Sequence, residues 1–124
     1  MARRERPGSG KQGSTYDDVR RAALALANVE EGTSYGTPAL KVKGKLLVRL
    51  WEEGDVIVVK MPFDLRTELM EGDPDTYFIT DHYANYEWIL VRLAKIAPDA
   101  LPDLLQTAYR SATRRVKPPR DLLS

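Results

Sequence analysis

The residues of this chain best placed to do chemistry are four cations on a predicted β-hairpin. They occupy odd-numbered positions between Gly36 and Trp51, namely Lys41, Lys43, Lys45 and Arg49. The even-numbered positions among them are mostly apolar, and successive side chains of a strand point to opposite faces. The pattern therefore predicts a ribbon with one apolar and one cationic face. Cations on such a ribbon can contact the phosphates of duplex DNA.

The turn of this hairpin is predicted at Gly44. Antiparallel partners share a face, so the two apolar sets meet only if the loop has an odd number of residues. A three-residue loop centred on Gly44 satisfies this condition. It pairs Val42 with Leu46, and Leu40 with Val48. An alternative explanation of the lysines is that they protect an exposed strand edge from aggregation.

A second candidate site is a polar loop around the chain's single histidine. We expect five residues to form a surface for a small ligand or a protein partner: Tyr35, His82, Tyr83, Asn85 and Tyr86. The structural alternative is a loop in which His82 and Asn85 hydrogen-bond to local backbone. One histidine without an identifiable nucleophile is a weak basis for catalysis. We therefore expect a protein that is not an enzyme, with no catalytic residues.

The net charge of +1 conceals a strong segregation of charge along the chain. Residues 1–13, the hairpin and residues 104–124 are basic, whereas residues 52–103 hold twelve acidic and four basic side chains. Three cations near the end of the chain would extend the hairpin's surface if the last helix ends nearby: Arg110, Arg114 and Arg115. A nucleic-acid-binding domain is usually basic as a whole, so this balance counts against that role.

Composition and spacing exclude several classes of site. The chain has no cysteine, which excludes disulfides, thiol nucleophiles and thiolate metal sites. The acids at Asp73, Asp75 and Asp81 do not fit a calcium-loop pattern, and the glycines do not form a phosphate-binding motif. We expect no metal and no cofactor. No apolar run is long enough to span a bilayer, and no signal-peptide core follows the basic start, so we expect a cytoplasmic protein without membrane contact.

The elements that position these residues follow from the hydrophobic pattern. Ser14 or Thr15 opens a first helix, and Asp64 is placed to cap a short second one. A final helix begins near Pro98, which suits the first turn of a helix. Val56 to Val59 form a strand that is apolar on both faces, so we expect it at the centre of a sheet.

Two further strands are predicted at residues 76–80 and 87–93. With the hairpin and the central strand, these give an α+β fold in the order α-β-β-β-α-β-β-α. The expected architecture is a single antiparallel sheet of about five strands, built from hairpins, with three helices. We expect one domain at residues 14–117, preceded by a disordered basic tail at 1–13 and followed by a tail at 118–124.

The residues from Glu30 to Leu50 resemble the opening signature of the MmcQ/YjbR-like family. Gly36, Pro38, Gly44 and Lys45 match it, and the motif His82-Tyr83-x-Asn85-x-x-Trp88 resembles the family's second motif. This resemblance implies an α+β fold described as a double wing of two hairpins, and a DNA-binding role, without an established catalytic residue set. We therefore expect a non-enzymatic DNA-binding module. The alternative is a protein-interaction or small-ligand module centred on the 81–86 loop.

Overall fold

The computed structural model describes residues 13–114. Residues 1–12 of the predicted tail at 1–13 lie outside the described residues, as do the whole predicted tail at 118–124 and Arg115. The helices and strands, in chain order, are α1 (Tyr16–Leu24), β1 (Val29–Ser34), β2 (Thr37–Val42), β3 (Lys45–Leu50), β4 (Val56–Lys60), α2 (Phe63–Gly72), β5 (Tyr77–Phe78), β6 (Trp88–Arg92) and α3 (Leu101–Thr113). Short 3-10 turns occur at Asp81–Tyr83, Leu93–Lys95 and Pro98–Ala100.

The strands form one antiparallel sheet in the order β1-β2-β3-β4-β6-β5. This confirms the predicted α+β class and its single antiparallel sheet. The sheet has six strands, whereas about five were predicted. The additional strand is β1, which the hydrophobic pattern did not predict. That strand is an edge strand whose four central residues are exposed, so it lacks the apolar alternation by which buried strands are recognised.

One face of the sheet carries the main core, under α1 and α3. Leu40, Ile57 and Ile89 on the strands are fully buried there, together with Val19 of α1 and Leu105 of α3. The four residues 56–59 of β4 are all buried, and β4 lies between β3 and β6. The prediction of a central strand covered on both sides is confirmed.

The starts of the first two helices differ in how well the sequence predicts them. Thr15 is the N-cap of α1 and forms a complete capping box with Asp18, in agreement with the predicted start of the first helix. The predicted cap of the second helix is wrong: Pro62 precedes α2 without a side-chain cap. Asp64 lies inside the first turn, where its carboxylate accepts a hydrogen bond from the N–H of Leu65 at 2.9 Å.

The opposite face of the sheet, called here the second face, carries a smaller cluster. Val58 of β4 and Leu90 of β6 pair across it and pack with Tyr83. Tyr83 belongs to residues 79–87, the segment between β5 and β6, which covers this part of the face. The segment leaves β3 uncovered beside it, and this creates a concave surface.

Candidate functional site

A pocket of about 610 Å³ lies on the second face of the sheet. Its lining comes from the β1–β2 turn, from β3 and the turn that follows it, from β4, from the 79–87 segment and from the start of β6. The lining residues are Tyr35, Leu46, Arg49, Trp51, Glu52, Val58, Thr80, His82, Tyr83, Tyr86 and Trp88. The pocket therefore combines large aromatic side chains with one cation and one carboxylate.

Arg49 is the central polar group of the pocket. It is opposite Val58 in the β3–β4 register, so its side chain belongs to the second face. Only 4% of Arg49 is exposed. Its Nη2 donates to the hydroxyl of Tyr83 at 2.9 Å, and its Nη1 donates to Glu52 Oε1 at 3.1 Å. A buried guanidinium is tolerated because these acceptors replace water.

Glu52 provides the anionic partner at the pocket wall. Its side chain is half exposed, with 51% of its surface accessible, and forms an ion pair with Arg49. Its own backbone N–H, followed by the Arg49 guanidinium, holds the pKa of Glu52 below its ordinary value of 4.5. The carboxylate is therefore ionised at neutral pH and can accept a further hydrogen bond.

Tyr35 lies at the rim of the pocket in an unusual backbone conformation. Tyr35 and Gly36 form the two-residue turn between β1 and β2, and both have positive φ, 54° and 78°. Positive φ at both positions is typical of type I′ turns, which favour Asn-Gly. A tyrosine there costs about 1 kcal/mol or more. Its ring is 81% exposed and lies 4.9 Å from the Arg49 guanidinium.

Arg66 of α2 fixes the 79–87 segment in place. Its Nη1 donates to the carbonyl oxygens of Tyr83 at 3.0 Å, Tyr86 at 2.7 Å and Trp88 at 3.2 Å. Its Nη2 donates to the carbonyl oxygen of Ala84 at 3.0 Å. Arg66 is buried and has no carboxylate partner among the described residues. It therefore shapes the pocket wall without lining it.

Two tryptophans form the apolar walls of the pocket. Trp51 packs edge-to-face against Phe78, with ring centroids 6.1 Å apart. The ammonium of Lys60 lies over the ring of Trp88, 5.2 Å from the ring centroid, in a cation–π contact. Both tryptophans are partly buried against the second-face cluster. These contacts hold the indole rings in place and leave part of each facing the pocket.

The residues predicted for a ligand surface come together in this pocket, with one exception. Tyr35, His82, Tyr83 and Tyr86 line it, whereas Asn85 is exposed and is not among the lining residues. The ring of His82 packs edge-to-face on Tyr83 at 4.8 Å. Tyr35 was predicted to belong to this surface although it lies far away along the chain, and it lines the same pocket.

The predicted common cationic face of the hairpin is wrong. Lys43 and Gly44 form a two-residue turn with φ of 51° and 81°, so Val42 pairs with Lys45 rather than with Leu46. The pairing of Leu40 with Val48, which was predicted, is present. The register shift between these pairs is a β-bulge, and it leaves one residue of β3, Leu47, without a partner.

The two-residue turn and the bulge together separate the four cations. Lys41 pairs with Leu46, which lines the pocket, while Lys45 pairs with Val42, which belongs to the core under the helices. Directly opposed residues share a face, so these two lysines start from opposite faces. Lys43 is exposed in the turn, and Arg49 is buried in the pocket. DNA binding by these residues stays a prediction.

The predicted cations of the last helix lie near the tip of this hairpin. Tyr109 of α3 donates a hydrogen bond to the carbonyl oxygen of Ala27 at 2.8 Å. Two residues later β1 begins at Val29, opposite Val42, which directly precedes the hairpin turn. The C-terminal half of α3 and the hairpin tip are therefore at the same end of the domain. Arg110 and Arg114 are exposed there.

Four contributors to the site are absent from the predicted site residues: Trp51, Glu52 and Trp88, which line the pocket, and Arg66, which supports its wall. The run from Arg49 to Glu52 contains the only available signal, because an alternating strand places Arg49 and Trp51 on one face. A single arginine on a short helix, such as Arg66, gives no such signal.

Two properties of residues 13–114 bear on the class of site. No group of three or more histidine, aspartate or glutamate side chains there could hold a metal ion. Among the helices of this region, none has the length and apolar character needed to cross a membrane.

Comparison with known proteins identifies the class of this domain. The crystal structure of DR2400 from Deinococcus radiodurans, described as a DUF419 domain, matches with a TM-score of 0.68 and 20% identity. The match covers 89% of this chain and 85% of that one. At this identity the likeness shows the fold: an α+β domain with a helix-covered antiparallel sheet.

The sequence comparisons then identify the family. The YjbR family model matches residues 24–111, which is most of the chain. The uncharacterized proteins Mb2600 of Mycobacterium bovis and Rv2570 of Mycobacterium tuberculosis are each 28% identical over 111 residues. Each alignment covers 77% of this chain and 86% of the relative. The chain belongs to the YjbR family.

Proposed function

We propose that this protein is a non-enzymatic binding module and that the pocket on its second face binds a small ligand. The observation that carries this proposal is the placement of a buried cation, Arg49, in a pocket with aromatic walls. Ligand sites usually combine an apolar lining with a few fixed polar groups. A volume of about 610 Å³ lies within the range of roughly 300–1,000 Å³ that is usual for such sites.

The exposure of the rim supports the same proposal. Tyr35 and Tyr86 are 81% and 59% exposed, although large aromatic side chains are usually buried. Tyr35 also keeps a positive φ that asparagine or glycine would adopt at lower cost. A residue held in an unfavourable conformation beside a pocket is typical of a functional site.

The polar groups of the pocket are paired in a way that suits recognition. Arg49 binds Glu52 and the Tyr83 hydroxyl, so both the cation and the phenol are fixed by their partners. Fixed donors and acceptors give specificity because a ligand that lacks the complementary groups leaves them unpaired. This pairing therefore supports the proposal of a binding module.

The chain offers a direct assay, because both of its tryptophans line the pocket. We would titrate the protein with a library of small aromatic and aliphatic compounds and record tryptophan fluorescence. Saturable changes that are lost in Tyr35→Ala, and kept in the matched variant Tyr109→Phe on α3, would support the proposal. If no compound gives a saturable change, the proposal is wrong.

DNA binding is a second candidate function, supported by the end of the domain where α3 and the hairpin tip meet. Lys43, Lys45, Arg110 and Arg114 are all exposed at this end. Clustered cations can contact successive phosphates of a duplex without reading its sequence. This candidate uses a surface different from the pocket, so the two functions can be tested separately.

Fluorescence anisotropy with labelled duplex DNA at several salt concentrations tests this second candidate. Each phosphate contact contributes a slope of about −0.9 to the dependence of log affinity on log salt. Replacing Lys43 and Lys45 by glutamine should therefore make that slope shallower by about 2. The exposed Lys95→Gln variant is the control and should leave the slope unchanged. Absence of binding at low salt would exclude duplex DNA as the partner.

A further inference from the structure

The walls of the pocket favour a flat, unsaturated ligand. Trp51, Trp88, Tyr35 and Tyr86 all line it. Trp51 packs on Phe78, and the rings of Trp88 and Tyr35 contact the cations of Lys60 and Arg49. Aromatic side chains bind planar rings by stacking, with centroids about 4.5–7 Å apart. A ligand that is itself planar and aromatic uses these walls best.

The polar edge of the pocket presents a donor and an acceptor side by side. Arg49 Nη2 carries two N–H groups but donates one hydrogen bond among the described residues, to Tyr83. The neighbouring Glu52 carboxylate is half exposed and lies 3.1 Å from Arg49 Nη1. Together they complement a ligand edge that carries an acceptor next to an N–H donor.

Charged ligands fit this pocket less well than a neutral one. An added cation would meet Arg49, and the rings of Tyr35 and Trp88 already hold Arg49 and Lys60 at 4.9 and 5.2 Å. A carboxylate ligand bound to the second N–H of Arg49 Nη2 would lie beside the Glu52 carboxylate, and the two like charges would repel each other. A neutral ring with both a donor and an acceptor engages the pair without separating it.

We infer that the ligand of this pocket is a nucleobase-type heterocycle, stacked on the aromatic walls and hydrogen-bonded through one edge to Arg49 and Glu52. The inference rests on the proposed function of the pocket as a ligand site. Every nucleobase has adjacent donor and acceptor groups on an edge, and proteins read unstacked bases by this combination of stacking and edge hydrogen bonds.

The test is a ¹H–¹⁵N NMR titration of the whole chain with adenosine, guanosine, cytidine and uridine. Indole serves as an aromatic ring without the acceptor, and benzoate as an aromatic carboxylate. We expect at least one nucleoside to shift the amides of Trp51 and Tyr83 and to bind at least tenfold more tightly than indole and benzoate. Glu52→Gln should weaken binding of that nucleoside about tenfold, because the ligand's N–H then donates to a neutral amide in place of a carboxylate.

The neighbouring exposed residue gives the matched control, because Glu53→Gln changes charge on the same turn outside the pocket. If no nucleoside binds more tightly than indole and benzoate, the inference is wrong. The compound library of the fluorescence assay then decides about the proposed function. A different pocket ligand from the library would leave the binding module intact, whereas no ligand at all would overturn both.

A further titration distinguishes a free nucleoside from a base within single-stranded nucleic acid. A single-stranded oligonucleotide of the preferred nucleoside is compared with the free nucleoside on the same NMR signals. Tighter binding of the strand identifies a base within single-stranded nucleic acid, and equal or weaker binding identifies a free nucleoside. Both results support a nucleobase ligand. A strand that shifts only the hairpin tip and α3, with no pocket binding by the nucleosides, contradicts it.

Discussion

Replacing Arg66 by methionine tests whether one buried guanidinium holds the pocket wall together. Methionine keeps an unbranched aliphatic stem but lacks the guanidinium, whose carbon lies 4.9 Å from the centre of the Phe63 ring. The variant therefore removes this contact together with the donor to four backbone carbonyl oxygens of the 83–88 stretch. We expect lower stability and a loss of ligand binding.

The size of the effect follows from the burial of those bonds. Leaving a buried acceptor without its donor costs about 1–3 kcal/mol. The bond to the carbonyl of Tyr83 is buried, whereas the other three are partly buried, so water can replace them in part. We therefore expect Arg66→Met to lower the free energy of unfolding by about 3 kcal/mol. For a domain of this size that corresponds to a decrease in Tm of about 10–15 °C.

Thermal unfolding followed by circular dichroism measures this decrease. Arg21→Met on α1 is the matched control. The Arg21 side chain is 66% exposed and pairs with Asp17 and Asp18 on the surface, so its loss should cost less than about 1 kcal/mol. If Arg66→Met melts within about 3 °C of the control, on the scale of about 4 °C per kcal/mol, the carbonyl contacts of Arg66 do not stabilise the segment.

Three further predictions are independent of Arg66. Tyr35→Asn should raise the free energy of unfolding by about 0.5–1 kcal/mol, because asparagine tolerates positive φ in a type I′ turn, and it should weaken ligand binding. Lys43→Asn should raise the free energy of unfolding by a similar amount and leave ligand binding unchanged. The lowered pKa of Glu52 means that its ionised form stabilises the fold at neutral pH and that this stabilisation is lost as the pH falls below about 4.5. Glu52→Gln should therefore make Tm less dependent on pH between about pH 6 and 3, compared with the control Glu53→Gln. Ser111→Ala should be neutral or stabilising by up to about 1 kcal/mol in urea unfolding, because the Ser111 hydroxyl is buried and has no hydrogen-bond partner within residues 13–114.

Much of the fold was predictable because local and periodic signals agreed with the tertiary structure. The capping box at Thr15 and the two-sided apolar run of β4 each specify one element without reference to the rest of the chain. The final helix was equally clear, since Leu105 and Ala108 are fully buried at helical spacing. These signals fix the class of the sheet and the helices that cover it.

The site was less predictable because two of its features are not periodic. The bulge at Leu47 reverses the face of half of β3, and alternation alone cannot reveal an unpaired residue. As a consequence, Arg49 belongs to a pocket rather than to a cationic surface shared with Lys45. The second feature is the clamp by Arg66, which joins α2 to a segment that lies 17 or more residues further along the chain.

The central claim is that the pocket on the second face, and not the cationic hairpin, is the principal binding site. The most direct measurement is a map of amide chemical-shift changes over the whole chain, at saturation with the strongest ligand from the fluorescence assay. The claim predicts that the changes concentrate at Arg49, Trp51, Tyr83 and Trp88. Changes confined to the hairpin tip and the end of α3 would contradict it.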